Sequence, residues 1–369
     1  MLGDLGIEGL VIEDEGDFLR FMEQNKQYWD YVDDELMEQM KGVSRIKFYV
    51  TDDADGQKQL AQYMKGVDLP YTSVRLREYD WAHSWQKYYR PLAIGKTIYI
   101  VPEWERDTAQ IPEGCTSILM NPGLTFGTGA HPSTQMCMEF MEELVQPGME
   151  VIDLGSGSGI LSIAALLLGA EHAFACDIDE KCVDVAYENA ALNGMESRLT
   201  PLCADVREIK ADTVGGEVDL VTSNPPYMAP HSGARNTTDE KYIARHEVCG
   251  TVTDFCKAAG RLLKHGGRFC CVFRPERLSD LFAGLREAHL EPKRMTLVQA
   301  TYAAAPSMVL VEAVKYAAPG MTVTPPLCLW EADPERPEKP AEPMVQTKAA
   351  AYIYENCEFP PRFTGENAK

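Results

Sequence analysis

The sequence predicts an α/β fold whose main part is a seven-stranded, doubly wound and mostly parallel sheet of Rossmann-like type. Three observations lead to this prediction. Short apolar runs alternate with helical segments, a glycine-rich turn separates the first central run from its helix, and the last two runs are joined by a short loop. Strands that alternate with helices form parallel sheets, whereas a short loop joins antiparallel neighbours. We therefore expect one antiparallel strand near the end of the sheet.

The first central strand is the apolar run from Val151 to Leu154, which is followed by a glycine turn at residues 155–159. Glycines let the backbone approach a ligand closely, and the helix N-terminus behind them favours polar ligands. The spacing is G-x-G-x-G and not the G-x-G-x-x-G of dinucleotide-binding turns, so another adenosine ligand is expected. The predicted binding residues here are Asp153, Gly155, Gly157 and Gly159.

Two further carboxylates follow the next two apolar runs. Asp177 ends the second run about 20 residues after the glycine turn, where ribose hydroxyls lie in Rossmann-like units. Asp205 follows the third run, residues 199–203, where it could accept a hydrogen bond from an adenine amine. The alternatives are an ordinary α/β sheet with acidic loops and an NAD site. The NAD site is disfavoured because no hydride-transfer centre follows in the sequence.

The fourth central run, residues 218–223, leads into Asn224-Pro225-Pro226-Tyr227. Pro225 ends the strand because proline lacks the N–H that a sheet ladder needs. The Asn224 side-chain oxygen and the Pro225 carbonyl could accept both hydrogens of a planar amine, while Tyr227 offers a face for stacking. Together with the adenosine site, this predicts methyl transfer from S-adenosylmethionine to nitrogen, with Asn224, Pro225 and Tyr227 as catalytic residues. His131 and His246 are the candidate general bases, and each fits a structural role better.

The remaining elements complete a class I methyltransferase sheet. We predict helices over residues 245–264 and 276–288, and strands over 268–273, 295–299 and 308–314. The predicted boundaries are a methyltransferase domain at 119–328, a linker at 78–118, and a Pro/Glu-rich tail at 329–369 that is disordered or a linker.

Residues 1–77 are predicted to form a small α+β substrate-recognition domain. Its expected elements are strands over 9–13, 45–51 and 73–77, and a helix over 55–65. A chain of 369 residues with 45% hydrophobic residues can bury both this domain and the larger one.

Composition narrows the class of partner. The sequence contains no apolar stretch of membrane-spanning length and no leader before Leu10, so we expect a cytoplasmic protein without a membrane partner. The 11 cysteines include no C-x-x-C pair, which predicts reduced core cysteines and no metal site. The net charge of −21 disfavours a nucleic-acid phosphate backbone and favours a basic protein substrate.

The sequence also resembles a known family over about residues 1–208, the methyltransferases of bacterial ribosomal protein L11 (PrmA). The matching residues are Asp80-Trp81, Trp85, Arg90-Pro91, Pro102-x-Trp104, Asn121 to Thr134 and the glycine turn. The resemblance implies that Thr134, Gly155 and Asp177 contact S-adenosylmethionine, and that Asn224 takes the position of the strand-end asparagine. It also implies a ferredoxin-like recognition domain. Residues 1–6 resemble the end of the first helix of that domain, which either a start codon placed too late or a truncated domain would explain.

Residues 216–328 resemble a second family, bacterial methyltransferases of the adenine exocyclic amine in valine tRNA. The matching residues are Asn224 to Tyr227, Ala244 to Glu247, Arg274 to Leu278, Pro319-Gly320 and Pro325 to Leu327. We therefore predict an N-methyltransferase that uses S-adenosylmethionine, with ribosomal protein L11 as the favoured substrate because the recognition domain is retained. The alternatives are adenine methylation in tRNA, and cofactor binding without turnover.

Overall fold

The structure is a computed structural model of the chain. It describes residues 11–24, 40–65, 70–74, 86, 89–94, 97–121, 125, 127–129, 131–226, 250–334, 337–341, 347–348 and 350. The chain divides into two compact units, residues 1–88 and 89–369. None of the helices in these ranges is long and apolar enough to span a membrane.

Where the first unit is described, at residues 11–24, 40–65, 70–74 and 86, it contains a two-stranded antiparallel sheet and two α-helices. Strand β1 (Val11–Asp14) pairs with β2 (Ser44–Lys47), and the helices are α1 (Glu15–Gln24) and α2 (Ala54–Tyr63). Asp53 caps α2 by accepting hydrogen bonds from the backbone N–H groups of Asp55 and Gly56. Residues 70–74 form no strand, and the rest of the strand predicted over 73–77 lies outside the described residues. The ferredoxin-like arrangement stays a prediction.

The second unit begins with a separate three-stranded sheet. Strand β3 (Leu92–Ile94) is antiparallel to β4 (Ile98–Pro102), which is parallel to β5 (Thr116–Met120). Much of the segment predicted as a linker is therefore regular structure. The reason is its alternation of apolar residues, which buries Ile98, Ile100, Ile118 and Met120 almost completely.

Among the residues that the structure describes, the main sheet has nine strands in the order β13-β11-β12-β10-β9-β6-β7-β8, with β14 also paired to β11. Neighbours from β10 to β8 are parallel, and β12 is antiparallel to both β10 and β11. The seven predicted strands are confirmed, and two short strands extend the edge. The bounds are β6 Glu150–Leu154, β7 His172–Asp177, β8 Leu199–Cys203, β9 Val218–Ser223, β10 Leu263–Phe273, β11 Leu290–Gln299, β12 Pro306–Lys315, β13 Thr322–Val323 and β14 Leu327–Cys328.

In the described part of the chain, five helices accompany this sheet: α3 (Pro132–Leu144), α4 (Ile160–Leu167), α5 (Glu180–Leu192), α6 (Val252–Leu262) and α7 (Leu278–Glu287). Helix α6 begins at a capping box in which Thr251 and Asp254 bond each other's backbone N–H groups. Its apolar face buries against β9 and β10, and α7 packs on α6 and β11, so the core includes Phe255, Leu281, Val221, Phe269 and Phe273. This packing fixes the carboxyl ends of the central strands.

The described part of the C-terminal segment is bonded to the end of β11. The backbone N–H groups of Leu329 and Trp330 donate to Gln299 O and Ala300 O at 3.0 and 2.8 Å, and Thr301 Oγ1 donates to Pro337 O at 2.5 Å. The predicted disordered tail thus has fixed backbone partners over 329–334 and 337–341. Its composition lacks apolar periodicity, but backbone pairing at a sheet edge does not require apolar side chains.

Candidate active site

The glycine turn lies between β6 and α4 and has an unusual backbone conformation. Gly155, Gly157 and Gly159 have φ angles of +75°, +52° and +79°, a region that favours glycine. A Cβ on Gly159 would lie 2.9 Å from the Ala186 Cβ, which also excludes a larger residue there. The N–H groups of Gly155 and Ser156 both donate to the carbonyl of Cys176, so the turn is held against the end of β7.

Asp177, the predicted ribose contact, ends β7 beside the glycine turn. Its Oδ2 accepts from the N–H of Gly157 at 2.9 Å, and its Oδ1 accepts from the N–H of Asp179 at 3.1 Å. Burial raises the pKa of this carboxyl, and the backbone hydrogen bonds oppose the rise. Each oxygen keeps a lone pair for a ligand hydroxyl.

Asp205 follows β8, next to β7 in the sheet, but its carboxylate is already engaged. Arg207 donates to it from its backbone N–H and from its guanidinium, which lowers the pKa of Asp205. An adenine amine would have to share these oxygens or displace the guanidinium, which is more than half exposed. The predicted contact therefore remains a proposal.

Asp153 is almost completely buried at the carboxyl end of β6, with 1% of its surface exposed. Burial, together with the charge of Asp177, raises its pKa to about 8, and the Ser162 hydroxyl opposes the rise. Neither carboxylate oxygen has a well-formed hydrogen bond to any residue that the structure describes. Buried polar atoms in native proteins are normally paired, so an orphaned carboxylate requires an explanation.

Other orphaned polar atoms cluster around Asp153. Within the described ranges, the buried oxygens Thr134 Oγ1, Ser156 Oγ and Asn224 Oδ1 likewise have no hydrogen-bond partner. These residues lie at the N-terminus of α3, in the glycine turn, and just after β9, which is the direct neighbour of β6. Such convergence is typical of a site that pairs its polar groups with a ligand. The donors and acceptors of an adenosine ligand that carries an amino acid would fit these groups.

The loop at residues 127–129 packs on the glycine turn. Ser158 Oγ donates to Gly127 O at 2.6 Å, and Tyr89 Oη donates to Thr128 O at 2.5 Å. A Cβ on Gly127 would lie 2.6 Å from Ser158 Oγ, so this contact requires glycine. No pattern in the sequence indicates that Tyr89 positions this loop.

Asn224 follows β9 and is half-buried. Its Nδ2 donates to Ser133 Oγ at 2.9 Å, which turns its unpaired Oδ1 away from Ser133. Pro225 is buried beside it, whereas Tyr227 and the candidate base His246 lie outside the described residues. His131 is the N-cap of α3 and accepts from the N–H of Ser133. A structural role for His131 therefore accounts for its position.

Asn189 is a site-supporting residue that the sequence analysis missed. This fully buried side chain on α5 donates to Ser158 O at 3.0 Å and accepts from the N–H of Asn121 at 2.8 Å. It thereby ties the glycine turn to the end of β5. The only signal of this role in the sequence is that Asn189 shares one face of the helix with Ala186 and Ala190.

Comparisons with known proteins identify the family of the chain. A family model described as ribosomal protein L11 methyltransferase (PrmA) matches residues 1–224, and a model of a methyltransferase domain matches residues 145–324. The chain belongs to the ribosomal protein L11 methyltransferase family. The predicted family and the predicted methyltransferase fold are thus confirmed.

Individual members of the family match over most of their length. The chain is 39% identical to the L11 methyltransferase of Caldanaerobacter subterraneus over 63% of this chain and 78% of the relative. It is 38% identical to that of Symbiobacterium thermophilum over 73% of this chain and 79% of the relative. A crystal structure of the ribosomal protein L11 methylase of Lactobacillus delbrueckii has 25% identity and a TM-score of 0.45, covering 62% of this chain and all of that one.

Proposed function

We propose that this chain is a cytoplasmic N-methyltransferase that uses S-adenosylmethionine to methylate amino groups of ribosomal protein L11. Membership of the family supports the enzyme class and the substrate. The observation that supports the site is the set of orphaned buried oxygens from Thr134, Asp153, Ser156 and Asn224 at the carboxyl ends of β6 and β9. A ligand with an adenosine and an amino-acid portion would pair them.

Three groups of residues would hold the cofactor. Asp177 accepts from ribose hydroxyls with the lone pairs that its backbone contacts leave unused. The glycine turn, with its positive φ angles, lets the backbone approach the ligand. Asp153 and Thr134 accept from the amino-acid portion, and the positive charge of an ammonium group would stabilise the ionised form of Asp153.

Asn224 and Pro225 would orient the acceptor nitrogen. S-adenosylmethionine, when bound, supplies an electrophilic methyl group. Asn224 Oδ1 accepts one N–H of the acceptor amine, and the Pro225 carbonyl accepts another, so the nitrogen lone pair faces the methyl group. A lysine amine must first lose a proton, which costs about 4.6 kcal/mol at neutral pH from a reference pKa of about 10.4. In this proposal the amine loses its proton before it binds, and its orientation towards the methyl group provides much of the rate enhancement.

A second candidate substrate is the exocyclic amine of adenine in tRNA. The match to the family model ends at residue 224, where the Asn-Pro-Pro-Tyr run begins. A planar base amine suits the two acceptors and needs no deprotonation before binding. The net charge of −21 opposes this substrate, because nucleic-acid affinity depends on neutralising phosphates.

The test is a transfer assay with methyl-labelled S-adenosylmethionine and two separate substrates, purified ribosomal protein L11 and unmodified valine tRNA. We expect label in L11, at amino groups identified by mass spectrometry, and none in tRNA. A Gly157→Val preparation serves as the control that the label is transferred by this chain. Label in tRNA alone would replace the proposed substrate, and label in neither would favour cofactor binding without turnover.

A further inference from the structure

The Asn224 amide is connected to the start of α3 by a chain of side-chain hydrogen bonds. Asn224 Nδ2 lies 2.9 Å from Ser133 Oγ, which lies 2.7 Å from His131 Nδ1. Ser133 is only 2% exposed, so this contact is shielded from water. We propose that His131 is a positioning residue that, through Ser133, fixes the orientation of the Asn224 amide. The inference rests on the proposed function, since it concerns how Asn224 presents its oxygen to the acceptor amine.

The direction of each hydrogen bond follows from the backbone of the helix cap. The N–H of Ser133 points at His131 Nδ1 at a distance of 3.2 Å, so this nitrogen carries a lone pair and no proton. Because Nδ1 cannot donate, the Ser133 hydroxyl must donate its proton to the ring. The Ser133 oxygen is then left with lone pairs alone on the side that faces Asn224.

This polarity selects one of the two orientations of the asparagine amide. With Nδ2 towards Ser133, Asn224 donates to an oxygen that can only accept. With the amide turned over, Oδ1 would meet the Ser133 lone pairs, and the hydrogen bond would be lost. His131 therefore keeps Asn224 Oδ1 on the far side, where it is buried and has no partner among the described residues. A preorganised acceptor of this kind stabilises the transition state most strongly in a site that excludes water.

Two substitutions at His131 distinguish the effect of losing the hydrogen-bond acceptor from the effect of losing the imidazole ring. His131→Ala removes the acceptor and lets the Asn224 amide turn, so kcat on L11 should fall about tenfold, the value of one hydrogen bond of about 1.4 kcal/mol. The KM for L11 and the cofactor Kd should change little. His131→Asn supplies a side-chain oxygen at the same cap position and should recover most of the turnover.

A double-mutant cycle then distinguishes action through Asn224 from a general effect on the helix. In an Asn224→Ala background, His131→Ala should lower single-turnover methylation no further, because the group that it positions is already absent. A further tenfold loss in that background would overturn the proposal, as would unchanged kcat for His131→Ala alone.

The protonation of the ring provides a readout that does not depend on turnover. Nitrogen NMR of the imidazole in the cofactor-free, full-length protein should show an unprotonated His131 Nδ1 at neutral pH, and Ser133→Ala should shift this resonance. A protonated Nδ1 would overturn the inference. If the wild-type protein transfers no methyl group to L11, the proposed function fails. The NMR result still decides the direction of the hydrogen bonds that connect His131, Ser133 and Asn224.

Discussion

Gly157 donates its backbone N–H to Asp177 Oδ2 at 2.9 Å, so the glycine turn after β6 is bonded directly to the end of β7. One carboxylate therefore stabilises the conformation of the turn and also faces the site with its unused lone pairs. Loss of the charge should weaken both contributions. The dissociation constant of the cofactor measures both contributions together.

Asp177→Asn should raise the cofactor Kd about 10- to 100-fold, the range for hydrogen bonds to a charged group. Asp179→Asn is the matched control, because Asp179 caps α5 by accepting from the N–H of Lys181 and asparagine caps helices equally well. Isothermal titration calorimetry on both variants measures the difference. Equal affinities for the two variants would contradict the assignment of Asp177.

Gly157→Val should remove measurable binding of S-adenosylmethionine and leave a cooperatively folded protein. Gly194→Val is the control, because Gly194 has a similar φ of +65° but lies after α5, with open space where a Cβ would stand. Both variants should lose about 1–3 kcal/mol of stability through backbone strain. Thermal unfolding and calorimetry together test this. If both variants lost cofactor binding, the cause would be a general effect of backbone strain and not a blocked approach of the glycine turn to the ligand.

The central sheet was predictable because each strand carries its own signal. The predicted stops are Pro225 and Gly155, and the strands end two residues before the first, at Ser223, and one residue before the second, at Leu154. Residues 92–118 were predicted as part of the linker at 78–118, because the strands there are short and their apolar residues alternate among turns. The alternation of apolar residues is local, but the strand that pairs with each of them lies elsewhere in the sequence, and no local pattern specifies that partner.

The positions of the candidate site residues in the fold were predictable where these residues end strands. Asp153, Asp177 and Asn224 follow directly from strand order, because the carboxyl ends of parallel neighbours share one edge. The contacts from Ser133 and Asn189 were not predictable, since each joins segments more than 30 residues apart through a single polar side chain. Such contacts become visible only when the fold brings the two segments together.

The stability of the protein should fall as the pH rises from about 4 to 8. Burial raises the pKa of both Asp153 and Glu139 to about 8, whereas unfolded carboxyls titrate near 4. Between these values the folded protein retains protons that the unfolded chain releases. The contribution of each carboxyl to the free energy of unfolding is therefore fully present below the unfolded pKa. It decreases as the pH rises towards the folded pKa, by up to about 1.4 kcal/mol per pH unit for each group.

Asp153→Asn and Glu139→Gln should each flatten this pH dependence, as measured by urea unfolding at pH values across the range. Only Asp153→Asn should also weaken cofactor binding, because Glu139 lies within α3 and has no proposed ligand contact. Unchanged slopes in both variants would contradict the raised pKa values. An equal loss of affinity in both would remove the distinction between the two carboxyls.

Deletion of residues 1–88, the first compact unit, should abolish methylation of L11 and preserve the cofactor Kd. The physical reason is that the residues proposed to bind the cofactor all belong to the second unit. A filter-binding assay and the transfer assay on one preparation measure both properties. Full L11 methylation by the shortened chain would argue against a substrate-recognition role for the first unit.

Asn224→Ala should lower single-turnover methylation about 10²- to 10³-fold, as expected for the loss of one preorganised polar contact. Cofactor affinity should fall far less, since the substitution removes the acceptor for the amine and leaves Asp177 and the glycine turn intact. Asn193→Ala is the control, because Asn193 exchanges hydrogen bonds with the backbone of Leu119 in β5 and supports the fold alone. That variant should lose thermal stability and retain turnover per folded molecule. If Asn224 merely stabilised the Pro225-Pro226 turn, its variant would behave like Asn193→Ala, with a lower melting temperature and nearly normal turnover.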